Sequence, residues 1–247
     1  MDSGLYSAYS GLRVNADILD VLSNNLANVN TTGFKSDQAF LRIYNHAVSD
    51  SSISMDRVLN DSSFVEGSAI NFFAGPIKQT GRDLDVALEG RGFFVVQGPT
   101  GSFFTRNGSF QVSGAGRLIN SDGFAVLGRN GPIQLPEGKI TISKDGAIQV
   151  GGSVVDTLQV VDFADGSAME KVGNSMFRVR NGQNTQPASK DTTVVQGSLE
   201  QSNVNPIREM MLMISVMRQF EGLQKAIYTL MNTVDDRSIN QVGRVVG

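Results

Sequence analysis

The chain has 247 residues, 40% of them hydrophobic and 18% charged, and a formal net charge of -3. That length allows about one to two domains with a sizeable core, and the absence of any Lys/Arg cluster argues against a dedicated nucleic-acid binder, which needs a phosphate-tracking footprint. The lack of cysteine removes disulfide frameworks, thiolate zinc sites and cysteine nucleophiles together.

The first ten residues carry Asp2 where a secretory signal would be basic and contain no apolar core, so no cleavable signal is expected. No apolar run approaches the ~20 residues of a membrane span, and no membrane insertion is expected. Ser3 suits an N-cap, and the helix it opens is predicted to run to about Ala27. Leu5, Leu12, Leu19 and Leu26 recur along it at intervals of seven, with Ala8 and Leu22 between them. Asn24, Asn25, Asn28 and Asn30 then favour caps and turns over helix interior, and Gly33 is a natural stop.

From Ser36 to about Thr80 no hydrophobic period persists, which predicts an extended connector with short strands. The pattern changes from Asp83 to about Gln196. Runs rich in β-branched and aromatic residues (Phe93 to Gln97, Phe103 to Arg106, Phe124 to Leu127, Lys139 to Ser143, Ala147 to Val150, Thr157 to Phe163, Met176 to Arg180) alternate with turn signals. Arg-Asn-Gly ends at Gly108, Gly131 and Gly182, and Asp-Gly at Gly123, Gly146 and Gly166. These predict hairpins whose two central residues take positive φ, and hence an antiparallel β domain.

After Gln196 the turn Ser202-Asn203-Val204-Asn205-Pro206 leads into a second helix, with Asn205 as N-cap, Pro206 at the first position and Glu209 in the first turn. Its apolar residues fall on two seven-residue ladders. Met210, Met217 and Met231 form one, interrupted by Gln224; Met213, Phe220, Ile227 and Val234 form the other. Ile207, Met211, Ile214, Leu223 and Leu230 widen the stripe beyond what one partner helix covers. Asn240 to Gly247 reads as a short tail. The expected fold class is therefore α+β: terminal helices paired as a coiled coil, an extended connector, and a central antiparallel all-β domain.

Catalytic patterns are sparse. His46 is the only histidine, and it stands in the connector without HExxH or paired-histidine spacing. Asp83 and Asp85 begin like a calcium loop, but Ala87 and Leu88 occupy the next ligand and glycine positions. Gly90-Arg91-Gly92 precedes a strand, so the helix N-terminus that would hold a phosphate is missing. The Met-rich ladder suits packing at a core or interface. No catalytic residue, cofactor site or metal site is expected.

Several stretches resemble bacterial flagellar rod and hook proteins. Asn24-Asn25-Leu26-Ala27-Asn28 through Thr32-Gly33-Phe34-Lys35 is similar to their N-terminal signature, and Ser202-Asn203-Val204-Asn205 leading to Glu209-Met210 to their C-terminal one. Between them, Leu84-Asp85-Val86-Ala87, Gly90 to Phe94, Phe104-Thr105-Arg106, Gly108, Phe110, Gly116, Leu118, Gly123 and Val126-Leu127-Gly128 resemble the β-domain motif of the rod subfamily. Phe104 stands where tyrosine is usual and Ser113 where aspartate is common. Gly131-Pro132-Ile133, Leu135-Pro136, Asp145-Gly146, Leu158 to Phe163, Lys171 with Gly173, and the ending Asn240 to Val245 are more similar to proximal than to distal rod members.

The resemblance implies a non-enzymatic structural subunit of the basal-body rod in the periplasmic space. Such a subunit assembles helically with copies of itself and with other proximal and distal rod proteins, and leaves the cell through the flagellar type III export apparatus. It implies a helical domain of residues 1–35 with 206–247, a connector of 36–82 with 197–205, and an outer β domain of 83–196. The implied assembly residues are Leu5, Leu12, Leu19, Leu26, Asn24, Asn25, Asn28, Met210, Met213, Met217, Phe220, Ile227, Met231 and Val234. A distal rod protein is the alternative inside the family; outside it stands a secreted β-domain enzyme or carbohydrate-binding protein.

Overall fold

The computed structural model describes residues 2–42, 64–163, 169–180, 186–189 and 191–245. They fall into two units: Met1–Leu26 with Asp37–Ala69 and Pro206–Gly247, and Ala27–Ser36 with Ile70–Asn205. His46 and part of the predicted connector lie outside the described residues.

The first unit holds helix α1 (Asp2–Ala27) and helix α2 (Pro206–Val245). Strands Asp37–Arg42 and Phe64–Ile70 pair into a two-stranded sheet. Helix α2 starts where Asn205, Pro206 and Glu209 predict, because proline at the first position lacks only an N–H that the helix leaves unpaired anyway. It then continues through the predicted tail, since neither proline nor glycine interrupts the sequence between Val234 and Gly243. Among the described residues no helix is long and apolar enough to cross a membrane.

The second unit is antiparallel throughout its strand pairs. Its largest sheet runs Met169–Gly173, Met176–Val179, Gly101–Thr105, Phe93–Gly98, Ala125–Gly128, Leu118–Ile119, Gln111–Val112. Strand Phe93–Gly98 explains the unbroken apolar run Phe93-Phe94-Val95-Val96. Phe94 and Val96 join one buried cluster with Phe110, Leu118, Val126 and Ile148, while Phe93 and Val95 join another with Phe104, Phe163 and Phe177. Successive side chains of a strand face opposite ways, so a strand with a core on each side needs apolar residues at every position.

Two expectations change. Of the predicted turns within the described residues, those ending at Gly123, Gly131 and Gly146 place only the glycine at positive φ; Gly166 and Gly182 lie outside the described residues. The hairpins with both central residues at positive φ are Gly151-Gly152 and Asn174-Ser175, which carry neither signal. The N–H groups of Gly116, Gly123 and Gly146, each at positive φ, donate to the carbonyls of Ser113, Asn120 and Ser143. Each is a turn closed by a left-handed glycine, a geometry that leaves the preceding residue in an ordinary conformation. At the first of them the Ser113 hydroxyl oxygen accepts from the Arg117 N–H at 3.1 Å, a role an aspartate oxygen would also fill. The predicted run Thr157 to Phe163 is also broken in two. Ser153–Thr157 closes a three-stranded sheet with Ile140–Ile142 and Ala147–Val150, whereas Val160–Asp162 pairs with Phe93–Gly98 and Gln186–Pro187. The chain crosses between sheets at buried Leu158, whose N–H donates to Gly146 while that of Gln159 donates to Leu127.

Strands Val86–Glu89 with Thr193–Gln196, and Ile77–Gln79 with Ser198–Glu200, bring segments more than a hundred residues apart into register. They carry residues 70–82 and 197–205 into the β unit.

Candidate functional site

The first unit presents one apolar face inward and another outward. Between Pro206 and Thr229 the side chains of α2 that are not exposed are Glu209, Met213, Val216, Phe220, Leu223 and Ile227. They alternate at intervals of four and three, the spacing of a helix seam. Met213, Phe220 and Ile227 thus form the inward ladder. The Met210, Met217 and Met231 ladder faces solvent, with 45–55% of its surface exposed, and Ile207, Met211, Ile214 and Tyr228 are more than half exposed beside it.

On α1 the buried side chains are Asn15, Leu22 and Asn25, and Leu12, Leu19 and Leu26 are half-buried at their flank. A Cβ added at Gly11 would lie 3.2 Å from the Leu223 side chain. Asn25 Nδ2 lies 3.5 Å from Glu209 Oε2. Gly11 thus lies beside Leu223, and Asn25 beside Glu209. The side chains of Leu5 and Val234 are outside the described residues.

Of the three asparagines singled out at the helix exit, Asn25 is the most buried. Its Oδ1 accepts the Asp37 N–H and its Nδ2 donates to the Asp37 carbonyl, both at 2.9 Å. The side-chain amide imitates a neighbouring strand for the first residue of Asp37–Arg42, which alanine or leucine cannot do. Asn28 turns the chain, accepting from the Thr31 hydroxyl at 3.2 Å and from its N–H at 3.1 Å, and Asn24 is exposed.

The second unit contains a buried ion cluster. Glu200, fully buried, accepts from Lys35 Nζ at 2.5 Å, from Arg106 Nη1 at 3.0 Å and from the Gly75 N–H at 2.9 Å. Lys35 Nζ also donates to the Phe73 carbonyl at 2.8 Å, and Arg106 to the carbonyls of Leu88 and Gly90. Two cations share one carboxylate. Burial outweighs Glu200's attraction and nearby Arg106 adds repulsion, so the Lys35 ammonium is held below the ordinary lysine range.

The segment bearing Lys35 is fastened by its neighbours as well. Phe34 is buried with the Lys171 ammonium 4.2 Å from its ring centre, a cation–π contact. Gly33 takes φ +68° and lies where a Cβ would collide with the backbone of Arg106 and Asn107. The N–H of Gly33 donates to the Glu200 carbonyl at 2.8 Å. Asn203 binds across the same strip: its Oδ1 accepts the Ser36 N–H at 2.8 Å, and its Nδ2 donates to the carbonyls of Asn71 and Phe73. Thr32 to Lys35, Phe104 to Arg106 and Ser202 to Asn205, three of the motifs that carry the family likeness, thus converge in one unit.

Lys35, Arg106 and Glu200 were absent from the implied site. Lys35 and Arg106 stand within motifs, but nothing local marks Glu200 as their shared partner. Among the described residues no cluster of three or more His, Cys, Asp or Glu could hold a metal.

Comparison with known proteins accords with this arrangement. A family model described as flagella basal body rod protein matches residues 5–35. One for the D1 domain of flagellar hook protein FlgE/F/G matches 87–150, and one for the C-terminal part of flagellar basal body rod FlgEFG protein matches 195–238. The chain is 34% identical to the flagellar basal-body rod protein FlgF of Caulobacter vibrioides, over 91% of this chain and 92% of that protein. It is 31% identical to FlgG of Bacillus subtilis, over 91% of this chain and 94% of that protein, and 31% identical to FlgF of Rhizobium meliloti, over 93% and 98%. Both ends and the β unit match in order, and the chain belongs to the flagellar basal-body rod protein family.

Proposed function

We propose that this chain is a non-enzymatic structural subunit of the flagellar rod that assembles helically through its terminal helices. The observation that carries the proposal is the division of α2 into two apolar faces. Met213, Phe220 and Ile227 are half-buried, while Met210, Met217 and Met231 stay in water; a coiled-coil seam with α1 is the reading this supports. An apolar stripe of this length on a free helix is unusual for a monomer and suits a partner surface. Heterologous contacts that do not close into a ring generate a helical shaft from such subunits. The partners are copies of this chain and other rod proteins, the location is the periplasmic part of the basal body, and the type III export apparatus delivers the chain without a cleavable signal.

A proximal position is favoured by the Gly131-Pro132-Ile133 and Lys171 to Gly173 features and by the 34% identity to FlgF of Caulobacter vibrioides. The distal position is the second reading, supported by the 31% identity to FlgG of Bacillus subtilis over a similar span.

Paired substitutions test the two faces. Met217→Asp should abolish motility while the purified subunit keeps its helicity, because only the outward stripe is charged. Ile227→Asp should reduce the helicity of the isolated subunit as well. Normal motility in Met217→Asp cells would remove the outward stripe from the assembly surface.

A further inference from the structure

We infer that Lys35, Glu200 and Arg106 form a conformational latch: the two segments that lead to the terminal helices lock onto the β unit together or not at all. Lys35 is buried to 1% exposure, and the carboxylate it meets belongs to a strand 165 residues further along the chain. An ammonium cannot be held there without its anion, since burial alone would force it to lose its proton or leave. The segment 33–36 therefore cannot close before strand Ser198–Glu200 is in place.

Dependence runs the other way too. Without Lys35 in place, the Phe73 carbonyl and Glu200 Oε1 each lose their charged donor and keep only Asn203 Nδ2 and the Gly75 N–H. Without the 33–36 backbone, Asn203 loses the Ser36 N–H and the Glu200 carbonyl loses the Gly33 N–H. Asn203 N–H, pointing at the Phe34 carbonyl at 3.4 Å, adds a weak third link between the two strips. Arg106 anchors the cluster to the sheet through the Leu88 and Gly90 carbonyls. Each strip thus supplies the other with hydrogen-bond partners, among them the only cation on Glu200 Oε1 and the Ser36 N–H on Asn203 Oδ1, that are lost once its counterpart leaves. A chain made from its amino terminus onward holds segment 33–36 open until residue 200 has joined the unit.

The latch is independent of whether the helices dock on neighbours. Amide hydrogen exchange on the full chain tests it, using Lys35→Met and Asn203→Ser, both of which leave the Glu200–Arg106 pair intact. Lys35→Met should speed exchange of residues 33–36 and of 198–204 by one common factor, about ten- to a hundredfold. Asn203→Ser, perturbing the opposite strip, should again speed both by a shared factor. In each variant strand Phe93–Gly98 should retain wild-type protection. Separate factors for the two strips, or a strip that opens alone, would overturn the latch, as would unchanged exchange in both.

Discussion

Replacing Glu200 by glutamine would leave Lys35 and Arg106 buried side by side without the carboxylate they share. Breaking a buried ion pair by removing one partner costs about 3–5 kcal/mol, because the orphaned charge stays behind. Arg106 cannot shed its proton, though the Leu88 and Gly90 carbonyls soften its loss; Lys35 can. For a unit of this size, roughly 2–4 °C of melting temperature follows each kcal/mol, so Glu200→Gln should melt about 6–20 °C lower. Lys35→Met removes a charge, not its complement, and leaves Glu200 bound to Arg106 and the Gly75 N–H. It should cost less, about 1–3 kcal/mol. The two changes together should reverse sign: in the Glu200→Gln background, Lys35→Met deletes one of two unpaired cations and should raise the melting temperature. Calorimetry of the full chain, run beside a melt followed by tyrosine fluorescence, distinguishes the β unit, because its residues 27–36 and 70–205 contain no tyrosine. The transition without a tyrosine signal is the one to follow. Simple additivity of the two substitutions would refute the shared-carboxylate account.

A fragment of residues 83–196 lacks Glu200 and both strands of the Ile77–Gln79 and Ser198–Glu200 pair, so it should melt well below a fragment of 27–205 in which a flexible linker replaces 37–69; equal melting by circular dichroism would show that the strips add nothing. Glu170 titrates below the ordinary carboxylate range because Arg178 and then Arg180 donate to it. The folded value is depressed, so the stabilisation is present above the ordinary carboxylate range and is lost as pH falls through the folded value. Its partial exposure to solvent keeps the effect local, and an NMR titration of the Glu170 carboxyl carbon in Arg178→Ala should show a midpoint moved upward.

Much of the layout is legible in the sequence because it rests on local signals. The seven-residue spacing and Asn205-Pro206 mark both helices, and the Asp-Gly turns mark the hairpins at Gly123 and Gly146. What periodicity could not decide is which of the two ladders on α2 faces inward: Met217 and Phe220 are equally apolar, and the choice depends on α1. On α1 itself the leucine spacing points to Leu12 and Leu19, yet Asn15, Leu22 and Asn25 are the buried positions. Two of these three are polar, and a count of apolar residues passes over them. Strand Ser198–Glu200 and its partner Ile77–Gln79 are too short and too distant in the chain to announce each other. The ion cluster is hidden for the same reason. A buried Lys35 looks on paper like any exposed lysine after a turn, and only the fold supplies Glu200.

The absence of cysteine permits the most direct test of assembly through the outward stripe. Single cysteines at Met217 and, separately, at Leu223, together with a pair at Gly11 and Leu223, can be introduced without background. In basal bodies isolated from cells that carry them, a bifunctional thiol reagent should join Met217→Cys subunits to their neighbours, while the Gly11→Cys, Leu223→Cys pair closes within one chain. Intersubunit links through Leu223→Cys, with Met217→Cys left unlinked, would mean that the seam and the stripe have exchanged roles, and would contradict the account.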